Sequence, residues 1–206
     1  MQTLVEICRN PNRAIVSALH SIHKQSLPGD ITPNLSPAYY ARVVALMGDA
    51  QNGFLHIATT ADRDPVGFCF TALRPGDFST AIARQRWLLL SNLARLAITK
   101  PGLVVDLAGA IVGRSTLDEG ETTDCPEVYV ICVRDDYRSK GVGAALIESA
   151  TDSVRGCGHS DITVKTSDAG ARAFYERHGF RKIGEQNRVS RKLAILKRNS
   201  LIAASR

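Results

Sequence analysis

The sequence has no run of the ~18 apolar residues that a membrane-spanning helix needs, so no transmembrane segment is expected. Residues 1–13 lack the basic and apolar stretches and the small-residue cleavage site of a secretory signal, which makes the cytoplasm the expected location. Its five cysteines, Cys8, Cys69, Cys125, Cys132 and Cys157, form no C-x-x-C pair and no zinc-like Cys/His spacing. Reduced, mostly buried thiols are therefore expected, rather than a disulfide framework or a metal centre. His20 and His23 share one probable helix face but have no further ligands near them in sequence, so no metal site is expected there either. No G-x-x-x-x-G-K-[ST] stretch is present, and no glycine-rich turn has the third glycine and ribose-binding acid of a dinucleotide fingerprint.

Charge is also unevenly spread. Residues 186–206 contain no Asp or Glu and no Phe, Tyr or Trp, yet hold Arg188, Arg191, Lys192, Lys197, Arg198 and Arg206. Removing those six from the 26 Lys and Arg leaves 20 bases against 20 acids, so the whole net charge of +6 sits in the last stretch. A neutral body and a tail without aromatics to stack on bases predict no nucleic-acid partner. A basic tail beside an anionic ligand remains compatible with this pattern.

What is present reads as one globular domain over residues 1–206, with 44% hydrophobic and 22% charged residues. Residues 3–9 read as an edge strand, and Asn10-Pro11 as a cap and first-turn signal for a helix over 12–25 that Leu27-Pro28-Gly29-Asp30 stops. Ser36-Pro37 opens a second helix over 38–47. The spacing then turns to strand, with a hairpin over 54–60 and 66–73 around Asp62-Arg63-Asp64-Pro65. Helical spacing returns over 78–99 and 103–112, and an exposed connection covers 114–126. A strand over 128–133, a glycine turn, a helix over 142–155, a strand over 162–166, a helix over 169–177 and strands around 182–184 and 189–196 complete the chain. This alternation predicts an α/β (mixed α+β) sheet with helices on both faces.

Chemistry concentrates in residues 127–143, EVYVICVRDDYRSKGVG, where a wholly apolar strand runs into a loop whose glycines open a helix. Amides in the first turn of a helix have no intrahelical partners, and the helix dipole adds positive potential, so such a turn can hold a pyrophosphate by backbone alone. Gly141 and Gly143 allow close backbone approach, and Arg138 and Lys140 add charge beside it. A solvated strand-to-helix turn is the other reading of these residues.

The stretch Arg138-Ser-Lys-Gly141-Val-Gly143 resembles the R/Q-x-x-G-x-G/A signature of the GNAT superfamily of acetyltransferases. Residues 167–180, SDAGARAFYERHGF, resemble the N-x-x-A-x-x-x-Y-x-x-x-G-F segment of the same superfamily, with Ala171, Tyr175, Gly179 and Phe180 in place. The resemblance is sharp over 127–184 and loose before it. It implies a central mixed sheet of about six to seven strands with splayed central parallel strands. It implies acetyl-CoA as cosubstrate, with the pyrophosphate on the amides of Arg138, Ser139, Lys140, Gly141, Val142 and Gly143, and the pantetheine arm on the backbone of Ile131, Cys132 and Val133. It implies Glu127 as the base that deprotonates the amine and Tyr175 as the acid at the departing sulfur. A solvated strand-end carboxylate and a core aromatic are the structural alternatives for these two. Asp168 departs from the pattern, which has an amide side chain there.

The implied activity is N-acetylation of a primary amine on a small molecule. Residues 78–113, a helical insertion in the acceptor-side half 1–126, and the turn 27–37 loosely resemble GNAT proteins encoded with polysaccharide pathways, which points to an amino sugar. A protein or peptide amine, or an acyl-CoA-binding module without catalysis, are the alternatives. The remaining parts are a cofactor-binding core over 127–184 and a terminal strand with basic tail over 185–206, in a monomer or homodimer.

Overall fold

A computed structural model of the protein describes residues 3–85, 125–187 and 192–199. Within them a seven-stranded sheet runs in the order β1-β2-β3-β4-β5-β7-β6. The strands are β1 (Leu4–Ile7), β2 (Gly53–Thr59), β3 (Pro65–Ala72), β4 (Glu127–Val133), β5 (Asp161–Thr166), β6 (Arg181–Asn187) and β7 (Lys192–Asn199). Every neighbouring pair is antiparallel except β4 and β5 at the centre. The mixed α/β sheet expected from sequence is thus the observed one.

Helices cover both faces. On one lie α1 (Arg13–Ser26) and α2 (Pro37–Gly48), followed in the chain by α3 (Pro75–Ala83); their apolar sides close a core with Leu19, Tyr40, Val44, Phe68, Phe70 and Phe78 at 0% exposure. On the other lies α4 (Val142–Gly156), which packs Leu146, Ile147 and Val154 on Ile162, Val164 and Leu196. The short α5 (Ala169–Arg177) adds Tyr175 to that second core.

Local chemistry sets the helix ends. The Asn12 side chain accepts from the Ile15 amide at 2.9 Å, and Ser36 Oγ from the Tyr39 amide at 3.2 Å, each satisfying one orphan first-turn donor. The cap of α1 is therefore Asn12, not Asn10. Asn10 instead takes a left-handed φ of 52°, and Pro11 packs so closely on Gly48 that a Cβ there would sit 2.6 Å from its Cδ. Asn10-Pro11 is a turn that docks on the end of α2. The helix expected from residue 78 begins three residues earlier, with Pro75 in its first turn. The rest of that expected helix beyond residue 85, the apolar stretch 103–112 and all but the last two residues of the connection 114–126 lie outside the described residues.

The terminal strand differs most from expectation. β7 inserts between β5 and β6, so Lys192, Lys197 and Arg198, counted with the basic tail in sequence, lie in the sheet. Arg198 is 3% exposed and bonds both carboxylate oxygens of Glu148 on α4, each at 2.8 Å. Lys197 pairs with Asp161 at 2.8 Å.

Candidate functional site

The backbone of β4 prepares the site. Its register with β3 runs from Gly67↔Val133 to Phe70↔Val130, then shifts to Thr71↔Val128, leaving Tyr129 without a partner. A bulge at Tyr129 turns the strand over. Val128 points into the core under α4, whereas Val130 and Cys132, two and four residues on, point into the core under α1 and α2.

Parallel pairing of β4 with β5 is confined to Glu127↔Thr163 and Val128↔Val164. Beyond that point β5 pairs only with β7, through Thr166↔Ala194, and the two central strands part. The Arg134 amide donates to Val66 O at 2.8 Å, so by antiparallel alternation Cys132 and Val130 exchange hydrogen bonds with β3, while Ile131 and Val133 turn theirs into the gap. Of the three residues expected to offer backbone to pantetheine, Ile131 and Val133 face the opening and Cys132 faces β3. The Val133 carbonyl accepts from Ser26 Oγ at 2.9 Å, at the end of α1. No sequence signal marks Ser26, because its partner lies 107 residues away.

The turn after β4 has the shape a phosphate needs. A 3₁₀ turn over Asp135–Tyr137 leads into Ser139 at φ 58° and Gly141 at φ 83°, two left-handed residues flanking Lys140. The first hydrogen bond of α4 is Ala145 N to Gly141 O at 3.0 Å, so the amides of Val142, Gly143 and Ala144 precede the intrahelical ladder. No side chain caps this helix, and a Cβ built on Gly141 meets nothing within 4 Å. The mouth of the turn is open. Successive amides rotated through left-handed residues make the concavity, or nest, that binds anions.

Side chains around the turn carry three positive and two negative charges. Arg138 reaches Asp135 at 2.9 Å, and Arg134 forks onto Asp136 at 2.7 and 3.1 Å. Arg134 and Lys140 lie 4.5 and 5.2 Å from the Tyr137 ring centroid. These exposed pairs are individually weak and can be exchanged for a polyanion at small cost.

Gly143 also has a packing role. Its missing Cβ would lie 3.3 and 3.4 Å from the Phe174 ring on α5. Glycine there lets the second motif pack against the first. Asp168 is also accounted for: Oδ1 accepts from the Ala171 amide at 2.6 Å and caps α5.

Glu127 opens β4 on the face covered by α1 and α2. Its side chain is 11% exposed, and Oε2 is held by Lys165 Nζ of β5 at 2.7 Å, across the point where pairing of the strands ends. Lys165 was not legible as a site residue in sequence. Tyr175 lies under the other face at 4% exposure, its ring 5.2 and 5.4 Å from those of Phe174 and Phe180. Burial, reinforced by the neighbouring Cys69 and Cys132, pushes its hydroxyl pKa far above the usual phenol range, so it stays protonated throughout the physiological range.

Among the described residues no group of three or more His, Cys, Asp or Glu is placed to hold a metal ion. The His20 ring bonds Pro33 O at 2.8 Å, and the His23 ring bonds Asp30 at 2.8 Å and Tyr40 at 3.3 Å. All five cysteines are free thiols. No described helix is long and apolar enough to cross a membrane.

The acetyltransferase (GNAT) domain family model matches residues 95–196. A mycothiol acetyltransferase from Corynebacterium jeikeium (strain K411) is 40% identical over 65 residues, covering 31% of this chain and 18% of that protein. This chain thus aligns with under a fifth of that relative's length. The fold resembles the ribosomal-protein-S18-alanine N-acetyltransferase of Escherichia coli at TM-score 0.57 and 14% identity, covering 99% of this chain and 97% of the other. It also resembles an acetyltransferase of the GNAT family from Staphylococcus aureus Mu50 at TM-score 0.57 and 12% identity, over 96% and 99%. With a parted pair of central strands leading into an open, glycine-bracketed helix start, the chain belongs to the GNAT acetyltransferase superfamily.

Proposed function

We propose that the protein is an acetyl-CoA-dependent N-acetyltransferase acting on a primary amine of a small molecule. The observation that carries this reading is the gap beyond Val128 and Val164, which leaves the Ile131 backbone and the Val133 amide on an open edge leading to the uncapped start of α4. An amide-bearing pantetheine arm suits the first and a diphosphate suits the second.

Acetyl-CoA supplies the acetyl group as an activated thioester. In the proposed reaction the amine nitrogen bonds to the acetyl carbon and the carbon–sulfur bond breaks. Glu127 Oε1, the oxygen not held by Lys165, takes the proton that the attacking nitrogen loses. The Tyr175 hydroxyl donates a hydrogen bond to the sulfur as negative charge develops on it. Its raised pKa makes it a better hydrogen-bond donor than a source of a fully transferred proton, since a thiol is the stronger acid of the two. A backbone amide near Ile131 polarises the thioester carbonyl.

A single domain in a reducing compartment fits the five free thiols. One experiment tests the whole: incubation with acetyl-CoA and a panel of amines, following release of free CoA. Glu127→Gln is expected to cut turnover at least about tenfold across pH 6 to 9 with acetyl-CoA binding intact. Unchanged turnover would remove Glu127 from the reaction. Tight binding with no CoA released for any amine would favour a non-catalytic acyl-CoA-binding module.

A further inference from the structure

Tyr129 is out of place for a residue at the centre of a seven-stranded sheet. Its neighbours Val128 and Val130 are 2% and 8% exposed, yet Tyr129 is 37% exposed. The bulge explains the position, because a residue with no register partner on β3 and none on β5 is free to stand off the sheet. It does not explain the side chain.

The ring is fixed on the face that carries Glu127. It lies 4.9 Å from Phe78 in an edge-on contact and 6.4 Å from Phe70, both in the core under α1 and α2. The hydroxyl bonds Ser79 Oγ on α3 at 2.9 Å. Lys165 places Glu127 on this same face, since its neighbour Val164 points into the opposite core. Two residues apart on a strand, Glu127 and Tyr129 are about 7 Å from each other.

With its hydroxyl engaged by Ser79 and its ring in T-shaped contact with Phe78, what Tyr129 has left to offer a ligand is exposed aromatic ring surface. A fixed aromatic face attracts an ammonium group and stacks on an apolar or aromatic body, and it does little for a hydroxyl-rich chain. Beside it stands a carboxylate suited to the same ammonium. We propose that Tyr129 is a specificity-determining residue for the acceptor: the substrate is a primary amine whose nitrogen is carried by an apolar or aromatic group, with that group against the Tyr129 ring and the nitrogen at Glu127. The inference rests on the transferase reading above and narrows its acceptor.

The test uses benzylamine and 2-methoxyethylamine, two small primary amines that differ in the group beside the nitrogen, titrated calorimetrically into the full chain saturated with CoA. The wild type is expected to bind benzylamine at least about tenfold more tightly, from one aromatic and one cation–π contact. Tyr129→Phe keeps that preference. Tyr129→Ala abolishes it, as does Tyr129→Leu, which preserves apolar volume against Phe78 and guards against a folding defect. CoA affinity is unchanged in all three. Equal binding of the two amines by the wild type, or a preference that survives in the folded Leu or Ala variant, overturns the proposal. Selective benzylamine binding without release of CoA from acetyl-CoA upholds the Tyr129 assignment and refutes catalysis.

Discussion

Gly141→Ala isolates backbone conformation from packing. At φ 83° a Cβ costs about 1 to 2 kcal/mol from clash with its own carbonyl, and with nothing within 4 Å of that Cβ no steric contact adds to it. For a chain of this size each kcal/mol moves Tm by about 2 to 4 °C, so a fall of roughly 2 to 8 °C is expected. Relaxing the strain would turn Gly141 towards a negative φ and rotate the adjacent amides out of the nest, so acetyl-CoA affinity should fall at least about tenfold. Gly141→Asn, which tolerates the left-handed region, should lose less of both. Gly143→Ala is the control: crowding against Phe174 at 3.3 Å opposes a helix-propensity gain of about 1 kcal/mol, and Tm should stay within about 3 °C. Differential scanning calorimetry and isothermal titration on the three variants decide the matter. A Gly141→Ala protein with wild-type Tm and wild-type acetyl-CoA affinity would refute the claim that this turn needs a left-handed residue to hold phosphate.

Tyr175→Phe should lower turnover at least about tenfold while acetyl-CoA binding stays near wild type, read by steady-state kinetics beside calorimetry; an equal loss in both would reduce Tyr175 to a core aromatic. Stability should depend on pH through His56. Burial, with Arg9 adding to it, depresses its imidazole from 6.5 to about 4, so below pH 6.5 the unfolded chain takes a proton that the folded chain refuses. Its contribution is complete above pH 6.5 and is lost as pH falls towards 4, about 3 kcal/mol in all; urea midpoints measured across this range should show a smaller drop in His56→Gln. Arg198→Ala leaves Glu148 with only His178 nearby among the described residues, at 3.8 Å, and because that carboxylate is 39% exposed the loss is expected at about 2 kcal/mol rather than the full cost of a buried charge. A urea midpoint unchanged by Arg198→Ala would show the pair to be immaterial.

The legible parts of this molecule were those set by local backbone chemistry. Gly141 needs a left-handed φ, Ser36-Pro37 starts a helix, and residues 54–73 alternate into a hairpin, all within a few residues of chain. The bulge was not legible, since VYVICV is apolar at every position and offers no alternation whose reversal would reveal it. Lys165 and Ser26 act through partners 38 and 107 residues away, and nothing local distinguishes them from other polar residues at the ends of elements. Arg198 looked like a tail cation because the carboxylate that pairs with it lies 50 residues upstream on a different element. The packing role of Gly143 was not legible for a related reason. The ring that would crowd a Cβ there belongs to α5, so that constraint is tertiary.

Titration of acetyl-CoA into the full chain, with Tm followed in parallel, tests the central claim most directly. One cofactor should bind per chain, and at about a hundred times Kd it should stabilise the fold by about 2.7 kcal/mol, seen as a rise of roughly 5 to 10 °C in Tm. No heat and no shift at millimolar acetyl-CoA would mean that the open turn after β4 does not grip a diphosphate.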